Sequence, residues 1–377
     1  MSEDSLGFST RAVHAGDAHE TAGDVTPAIH LSTTYSRDPQ GELLGPWLYA
    51  RLDNPNRSAV ERTLVALEAG ATEALAFASG LAASAAATAH LAAGERIVVE
   101  AGAYYGTLRL LDSLRARGVV VDHVDLTDFE QAATALSKPT KLVWCETPTN
   151  PMLRVADIAR LAELAHARGA RLLVDNTVAT PLMQSPLQRG ADLVLHAATK
   201  ALGGHGDLTL GALVASKAGA DWLAQARVQR EESGAVPSPF DCWLLARGLA
   251  TAGLRIRAQE ANARCIAEEL RAHPRVLEVI WPGLAEHPDA SVVAQQMRGG
   301  GSLVSIRVRG GEEAATRVLG RLKLIMRATS FGGVHTLAEH RARVEGPSTR
   351  TPRDLIRLAM GIEDSADLLS DLRQALA

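Results

Sequence analysis

The stretch Ala191-Asp-Leu-Val-Leu-His-Ala-Ala-Thr-Lys-Ala-Leu-Gly-Gly-His-Gly-Asp207 runs from an apolar, strand-like segment through Thr199 and Lys200 into a glycine-rich turn. A lysine delivered to the end of a buried strand bears its charge reluctantly and is readily deprotonated. Such an amine is a candidate nucleophile for covalent chemistry through an imine. A lysine after a strand is more commonly a solvated loop charge, so further residues must decide between the two readings.

A second apolar segment, Leu172-Leu-Val-Asp-Asn-Thr177, ends in Asp175, upstream of Lys200 in what reads as the same sheet. Pyridoxal 5'-phosphate (PLP) requires two protein groups, an amine that forms an imine and a carboxylate that holds the pyridinium nitrogen. Lys200 and Asp175 together therefore predict a PLP site.

Composition limits the kind of protein. With 377 residues, 46% of them apolar and 22% charged, the chain is predicted to be a soluble globular protein of two or three domains. Its net charge of -4 is spread along the chain and predicts neither a nucleic-acid nor a membrane partner. Cys145, Cys242 and Cys265 are isolated, so we expect no disulfide framework and no metal site. The first residues carry no signal-like apolar run, which predicts a cytoplasmic protein.

The sequence predicts three regions. Residues 1–50 mix Pro, Gly, Thr and Ser and read as an extended N-terminal arm. Residues 51–236 alternate short apolar strands with amphipathic helices, which predicts a large α/β domain with a mainly parallel sheet covered on both faces. Residues 237–377 predict a smaller α+β domain that opens with one long helix over about residues 243–272.

Ligands of such sheets bind at the carboxyl ends of the strands, where Glu146, Asp175 and the segment leading to Lys200 all fall. Ser79-Gly80-Leu81 stands where an apolar segment turns into an Ala-rich helix, so the free N–H groups could hold a phosphate. Ser79 as a simple helix cap is the commoner explanation. The glycine motifs of dinucleotide and nucleoside-triphosphate sites do not occur in the sequence.

Two arginines have open roles. Tyr49 and Arg51 lie two residues apart and would share one face of an extended segment, where Arg51 is suited to bind a phosphate. An ordinary pair on a surface loop is the commoner alternative. Arg357 interrupts the apolar run Leu355-Ile-Arg-Leu-Ala-Met-Gly361 and could equally bind a substrate carboxylate or form a structural ion pair.

In combination, the motifs resemble those of the Cys/Met-metabolism family of PLP-dependent enzymes, the group of cystathionine γ-lyase, γ-synthase and β-lyase. The resemblance extends from about residue 10 to the C-terminus. Its motifs are Tyr49-x-Arg51-x-x-Asn54-Pro55, Ser79-Gly80-Leu81-Ala82-Ala83, Glu146-Thr-Pro-Thr-Asn-Pro151, Val174-Asp-Asn-Thr177, Thr199-Lys200 with Gly204-His205-Gly206-Asp207, Ser238-Pro-Phe240, Arg247-Gly-Leu249, Ser330-Phe-Gly-Gly333 and Gly361-Ile-Glu-Asp364.

The resemblance implies a fold and an assembly. The fold is PLP-dependent transferase fold type I, which is aspartate-aminotransferase-like, with a large mainly parallel sheet domain and a small C-terminal α+β domain. The assembly is a dimer with shared active sites, paired into a homotetramer.

The resemblance also implies roles at the reacting end of the site. Lys200 would hold PLP as an imine and move protons between substrate carbons, and Asp175 would keep the pyridine nitrogen protonated. Tyr104 would stack on the cofactor ring and act as an acid or base. Tyr105 stands where the family has glycine, so it is open which of the two tyrosines stacks.

Other residues are implied in binding. The phosphate would be held by Gly80, Leu81 and Thr199, and from a neighbouring subunit by Tyr49 and Arg51. The substrate carboxylate and the hydroxyl side of the cofactor would be held by Asn150, Ser330 and Arg357. The sequence departs from the family pattern at Ala197, where a phosphate-binding serine is usual, and at His335, where many members carry glutamate. His335 could bind a distal substrate group or be an ordinary loop histidine.

The function implied is that of a trans-sulfuration carbon-sulfur lyase acting on cystathionine or a related sulfur amino acid. Elimination at Cγ is favoured, because the segment from Ser330 to Thr336 looks like that of bacterial γ-lyases. The enzymatic alternatives are cystathionine γ-synthase or O-acylhomoserine sulfhydrylase, and a β-lyase, which Phe331 would suit. A PLP-binding protein without activity is a further alternative that only Ala197 supports.

Overall fold

The computed structural model describes residues 6–16, 24–347 and 349–377. The predicted arm at residues 1–50 therefore lies partly outside the described residues, as does the start of the chain from which a cytoplasmic location is expected. Within the described part, residues 24–54 contain isolated bridges and turns and no long helix or strand. This irregular backbone is what the mixture of Pro, Gly, Thr and Ser predicts.

The larger sheet has seven strands. They are β1 (Glu73–Phe77), β2 (Arg96–Glu100), β3 (Val120–Val124), β4 (Leu142–Glu146), β5 (Arg171–Asp175), β6 (Leu193–His196) and β7 (Gly211–Ala215). Their spatial order is β1-β7-β6-β5-β4-β2-β3. The pairs from β6 across to β3 are parallel, and β7 is antiparallel to both of its neighbours. The prediction of a mainly parallel sheet is confirmed.

Both faces of this sheet are buried. Side chains alternate along each strand, so Leu172 and Val174 enter one apolar cluster while Leu173 enters the cluster on the opposite face. The helices that precede or cover the sheet are α1 (Phe8–His14), α2 (Pro55–Leu67), α3 (Gly80–Thr88), α4 (Tyr105–Ser113), α5 (Phe129–Leu136), α6 (Ile158–His166), α7 (Thr180–Met183) and α8 (Ala220–Ser233). Asp128 and Asp157 cap α5 and α6 by accepting backbone N–H groups, which fixes where these helices begin.

The second sheet has five strands, β8 (Val276–Ile280), β9 (Leu303–Val308), β10 (Met326–Arg327), β11 (Leu337–Glu339) and β12 (Leu355–Ala359). Their spatial order is β10-β11-β12-β9-β8. The helices of this part are α9 (Pro239–Ala250), α10 (Ala252–Leu270), α11 (Ala290–Gln296), α12 (Gly311–Arg321), α13 (Arg341–Glu345) and α14 (Ser365–Leu376).

The single long helix predicted over residues 243–272 is wrong, because two helices, α9 and α10, meet at Thr251. The backbone of Thr251 leaves helical geometry at φ -108° and ψ 1°. Arg255 on α10 then reaches back with Nη2 to the carbonyl oxygen of Gly248, at 2.5 Å. The Gly248 carbonyl, which also accepts the Thr251 N–H at 3.3 Å, thus gains a charged donor at the end of α9. The hydrophobic pattern alone gave no sign of this break.

Within the described residues, no helix combines the length and the apolar character that crossing a bilayer requires. The two sheets lie wholly inside the ranges 51–236 and 237–377. The exact boundary between two domains stays a prediction.

Candidate active site

The carboxyl ends of three neighbouring parallel strands bring the predicted chemistry together. Glu146 ends β4 and pairs in register with Asp175, which ends β5. The next strand, β6, ends at His196, and the chain reaches Lys200 four residues later. A cavity of about 350 Å³ opens here. It is lined by Ser79, Gly80, Leu81, Tyr104, Tyr105, Glu146, Asn150, Asp175, Thr177, Val178, Ala197, Thr199, Lys200, Thr209, Thr329, Ser330, Phe331, Arg341, Val344 and Arg357.

Lys200 projects into this cavity. Its Nζ donates a hydrogen bond to Ser330 Oγ at 2.9 Å and lies 5.3 Å from the centre of the Phe331 ring. Burial first, and then the charge of Arg357, lower the pKa of Lys200 below its ordinary value. The neutral amine that covalent chemistry needs is therefore easier to form here than on a solvated lysine.

The loop that follows Lys200 is held in place by Arg255. Its Nη1 donates to the carbonyl oxygen of Ala201 at 2.8 Å, and its Nη2 donates to that of Leu202 at 3.2 Å. Gly204 adopts φ +73°, and a Cβ added there would lie 1.6 Å from Arg255 Nη1. Glycine is thus required at 204 both for its backbone conformation and for the approach of the guanidinium. Sequence reasoning missed Arg255, because its helix is distant in the chain from Lys200.

Asp175 is a buried carboxylate with a local support. Its Oδ1 accepts hydrogen bonds from the Thr177 backbone N–H at 3.0 Å and from Thr177 Oγ1 at 2.5 Å. Burial raises the pKa of Asp175 despite these bonds, and burial followed by the charge of Asp175 raises the pKa of Glu146 well above its usual range. A cationic partner in the cavity would offset the free-energy cost of keeping the Asp175 carboxylate charged.

The two tyrosines both line the cavity. Their ring centres are 4.7 Å apart, with planes inclined at 60°. The Tyr104 backbone N–H donates to Glu146 Oε2 at 2.7 Å, and a Cβ at Gly106 would lie 2.4 Å from the Tyr104 ring. Glu146 and the absence of a side chain at Gly106 therefore set the position of Tyr104. Burial, followed by the hydrogen bond to Tyr105, raises the pKa of Tyr104 to about 12, so its phenol keeps its proton at neutral pH.

The start of α3 forms another wall. Ser79 Oγ accepts the Ala82 N–H at 3.0 Å, and the Ser79 carbonyl accepts that of Ala83. The N–H groups of Gly80 and Leu81 have no acceptor within the helix and remain for a ligand. A Cβ at Gly80 would meet that of Ala197 at 2.9 Å. Ser79 is thus a helix cap, and the capped helix is also shaped to hold an anion.

Arg357 lies on β12 and is only 1% exposed. Its Nη1 donates to Asn150 Oδ1 at 3.2 Å, and its Nη2 donates to the Ser330 carbonyl at 2.7 Å. Burial lowers the pKa of Arg357 to about 10, which still leaves it cationic at neutral pH. Ser330 has φ 91°, a costly conformation for a residue with a side chain. The structure thus joins Asn150, Ser330 and Arg357 at one end of the cavity.

A buried glutamate links Arg357 to a second arginine that sequence reasoning missed. Glu339 Oε2 lies 2.8 Å from Arg357 Nη2 and 3.3 Å from Arg341 Nη1. Arg341 lines the cavity, and its guanidinium lies 5.4 Å from the centre of the Tyr105 ring. Arg357 therefore forms the structural ion pair and also lines the cavity, and its binding of a substrate carboxylate stays a prediction.

Three predicted residues are not brought to this cavity. Arg51 donates from Nη1 to the Glu231 carbonyl at 2.8 Å, and its guanidinium lies 5.7 Å from the Tyr49 ring centre. Neither Tyr49 nor Arg51 lines the cavity of its own chain, so their contact with a neighbouring subunit stays a prediction. His335 is exposed and also lies outside the lining.

The donor set fits PLP. The lysine amine, with its lowered pKa, suits the aldehyde of the cofactor. The buried carboxylate, which a cationic partner would stabilise, suits the pyridine nitrogen. The first N–H groups of the helix suit the phosphate. Fold and site together define the class of PLP-dependent enzymes.

The comparisons define the class more closely. Residues 9–377 match the family model of Cys/Met metabolism PLP-dependent enzymes, and the chain belongs to that family. Cystathionine gamma-synthase of Mycobacterium tuberculosis is 44% identical over 100% of both chains. Cystathionine gamma-lyase of Saccharomyces cerevisiae is 40% identical over 98% of this chain and 97% of its own. The crystal structure of metB from Corynebacterium glutamicum matches with a TM-score of 0.96 at 41% identity, covering 100% and 99% of the chains. The predictions of family, fold and cofactor are confirmed.

Proposed function

We propose that this chain is a trans-sulfuration enzyme that eliminates the thiol from Cγ of cystathionine, giving cysteine, 2-oxobutanoate and ammonia. One observation carries the proposal: Ser330 accepts a hydrogen bond from Lys200 Nζ through its hydroxyl and one from Arg357 through its carbonyl. A reactive amine and a guanidinium suited to an amino-acid carboxylate are thereby held by a single residue. The word "gamma" in the names of the related enzymes supports reaction at Cγ.

Each residue has a defined task in this proposal. Arg357 and Asn150 bind the substrate α-carboxylate and fix the position of Cα. PLP bound at Lys200 supplies the electron sink that makes protons at Cα and Cβ acidic. Asp175 holds the proton on the pyridine nitrogen and so maintains that sink. The first-turn N–H groups of α3 hold the phosphate.

Proton movement falls to Lys200 and Tyr104. With PLP and substrate bound, Lys200 Nζ would be the group that takes the proton from Cα and returns protons to substrate carbons. The lowered pKa of Lys200 favours this role as a base. The phenol of Tyr104 keeps its proton at neutral pH, which supports a role as the acid that would protonate the departing sulfur.

A second candidate is γ-replacement, in which an incoming thiol attacks the carbon from which an acyloxy group has left. It is supported by the relationship to cystathionine gamma-synthase, at 44% identity over both entire chains. The two reactions use the same cofactor and the same carboxylate-binding residues. They differ in the last reactant, which is a thiol in γ-replacement and water in γ-elimination.

The proposal includes an assembly. Several apolar side chains of the arm are exposed in the single chain, among them Val25 at 97%, Leu31 at 71% and Leu44 at 70%. A second copy of the chain would cover such a surface and would bring Tyr49 and Arg51 to a phosphate. We therefore propose a dimer with shared sites, a tetramer of two such dimers, and a cytoplasmic location.

Product analysis tests the reaction. Purified protein is incubated with L-cystathionine alone and, separately, with O-succinyl-L-homoserine and cysteine, and the products are separated by chromatography. Cysteine with 2-oxobutanoate in the first reaction supports γ-elimination, whereas cystathionine formed only in the second supports γ-replacement. Homocysteine with pyruvate from cystathionine, or no turnover in either reaction, would contradict the proposal.

A further inference from the structure

The substrate end of the cavity holds a second arginine, Arg341, which has no task in the proposed function. Arg341 lies on α13 and is only 4% exposed. The proposed function assigns the substrate α-carboxylate to Arg357. We infer that Arg341 binds another carboxylate, at the far end of the substrate side chain, and so favours amino acids with two acidic groups. The inference rests on the proposed function, because it takes the α-carboxylate to lie at Arg357.

The guanidinium of Arg341 faces the cavity. Its central carbon lies 5.4 Å from the centre of the Tyr105 ring, and both side chains line the cavity. Burial has the largest effect on the pKa values of Lys200, Tyr104 and Glu146, and the positive charge of Arg341 lowers all three pKa values. These three groups belong to different walls of the cavity. The charge of Arg341 therefore acts on the space that a ligand would occupy.

Two of the three nitrogen atoms of this guanidinium are hydrogen-bonded. Nη1 donates to Glu339 Oε2 at 3.3 Å, and Nε donates to Glu345 Oε1 at 2.9 Å. The third nitrogen, Nη2, is buried and has no hydrogen-bond partner among the described residues. A buried guanidinium N–H without an acceptor costs free energy, and a carboxylate is the acceptor that suits it best. Arg341 thus keeps a donor for an anionic ligand.

The two arginines are placed to bind separate carboxylates. Glu339 Oε2 contacts both of them, at 2.8 Å from Arg357 Nη2 and 3.3 Å from Arg341 Nη1, so a single carboxylate is shared by two cations. Arg357 is held in addition by Asn150 and by the Ser330 carbonyl. Arg357 is therefore the fixed site for one carboxylate of a ligand, and Arg341 beside it remains for a second.

This arrangement defines a substrate class. Cystathionine and O-succinyl-L-homoserine carry a carboxylate at the far end of the side chain, whereas methionine and O-acetyl-L-homoserine do not. An arginine that is satisfied only by the first pair favours it, because the second pair leaves the buried donor without an acceptor.

The experiment measures binding without turnover. L-2-aminoadipate and L-norleucine have carbon chains of the same length, but only L-2-aminoadipate ends in a second carboxylate, and neither has a leaving group. The full-length holoenzyme is titrated with each amino acid by calorimetry, and circular dichroism checks that every variant is folded. Wild type should bind L-2-aminoadipate at least about tenfold more tightly than L-norleucine.

Arg341→Gln removes the charge and keeps an amide that can donate to the neighbouring glutamates. It should reduce the preference for L-2-aminoadipate about 10- to 100-fold, because a charge-assisted hydrogen bond is lost. Its affinity for L-norleucine should stay within about threefold of wild type. Arg341→Lys retains the charge and should keep the preference to within about fivefold. The matched control is Arg343→Met, which removes an exposed arginine of the same helix outside the cavity lining and should change neither affinity.

Several results would overturn the inference. They are a wild-type protein that binds L-2-aminoadipate no more tightly than L-norleucine or binds neither, and an Arg341→Gln variant that loses affinity for both amino acids equally or keeps the preference. A loss in Arg341→Lys as large as that in Arg341→Gln would assign the effect to packing and would also overturn it. A protein that shows the preference and leaves cystathionine intact would contradict the proposed function alone, so the two failures are distinguishable.

Discussion

The two ends of the cavity are built in different ways. At the cofactor end, the side chains come from strand ends of the larger sheet and from the start of α3. The contacts there join residues close in the sequence: Thr177 hydrogen-bonds to Asp175, and Ser79 caps α3. At the substrate end, Arg357 is held by Asn150, Ser330 and Glu339, which come from distant parts of the chain. Backbone geometry thus defines the first end, and buried charge pairing defines the second.

This difference gives the two ends separable readouts. Changes at the cofactor end should alter the visible absorbance or the affinity of bound PLP. Changes at the substrate end should leave the bound cofactor intact and raise KM for the amino acid. The variants either disrupt one end of the cavity or test whether the effects on cofactor binding and on substrate binding are separate.

The largest effect is expected for Lys200→Ala, since it removes the group that we propose to hold the cofactor covalently and to move protons. Turnover should fall at least about 1,000-fold, and the visible absorbance of covalently held PLP should be lost. Absorbance spectra and product formation with the test substrates measure both. Retention of either property at the wild-type level would remove Lys200 from its role.

Arg357→Met should break the substrate end alone. Loss of a buried, hydrogen-bonded charge partner costs about 2–5 kcal/mol, so kcat/KM should fall about 30- to 5,000-fold, mainly through KM. The spectrum of bound PLP should persist. Arg307→Met is a matched control, because Arg307 lies on β9 in the same sheet but pairs with Asp354 and Glu278 away from the cavity lining. A similar loss in both variants would assign the effect to stability and not to substrate binding.

Glu339→Gln keeps Arg357 and removes only the charge of its ion-pair partner, so a smaller effect is expected. The change keeps the side-chain size and removes the charge that holds both Arg357 and Arg341. We expect KM for the substrate to rise about tenfold while kcat changes less, because Arg357 is displaced but present. Initial-rate kinetics separate the two constants. A tenfold loss in kcat with KM unchanged would show that Glu339 does not act through Arg357.

The smallest effect is expected for His335→Ala. The side chain is exposed and lies outside the cavity lining, so kcat/KM for cystathionine and for O-succinyl-L-homoserine should each stay within about twofold of wild type. A change in the ratio of these two values would mean that His335 reaches the distal part of a substrate in the assembled enzyme.

The same contrast explains what could be predicted from the sequence. Lys200, Asp175 and the Ser79-Gly80 turn lie at ends of elements that local patterns reveal, and the structure places all of them in one cavity. Glu339 could not be found that way, because it meets Arg357 only through the antiparallel register of β11 and β12.

Other features also depended on tertiary contacts. The hold of Arg255 on the loop after Lys200 arises from contacts between segments more than 50 residues apart in the chain. Hydrophobic periodicity carries no information about such pairings.

The central claim is that one cavity holds PLP covalently at Lys200, opposite the arginine that receives the substrate. It is tested most directly by reducing the purified holoenzyme with borohydride, which fixes the bond between lysine and PLP, and by mapping the modified peptide by mass spectrometry. The account predicts the added mass on Lys200, and its absence when substrate is present in excess during reduction. Modification of another lysine, or none at all in a protein that retains its PLP absorbance, would contradict it.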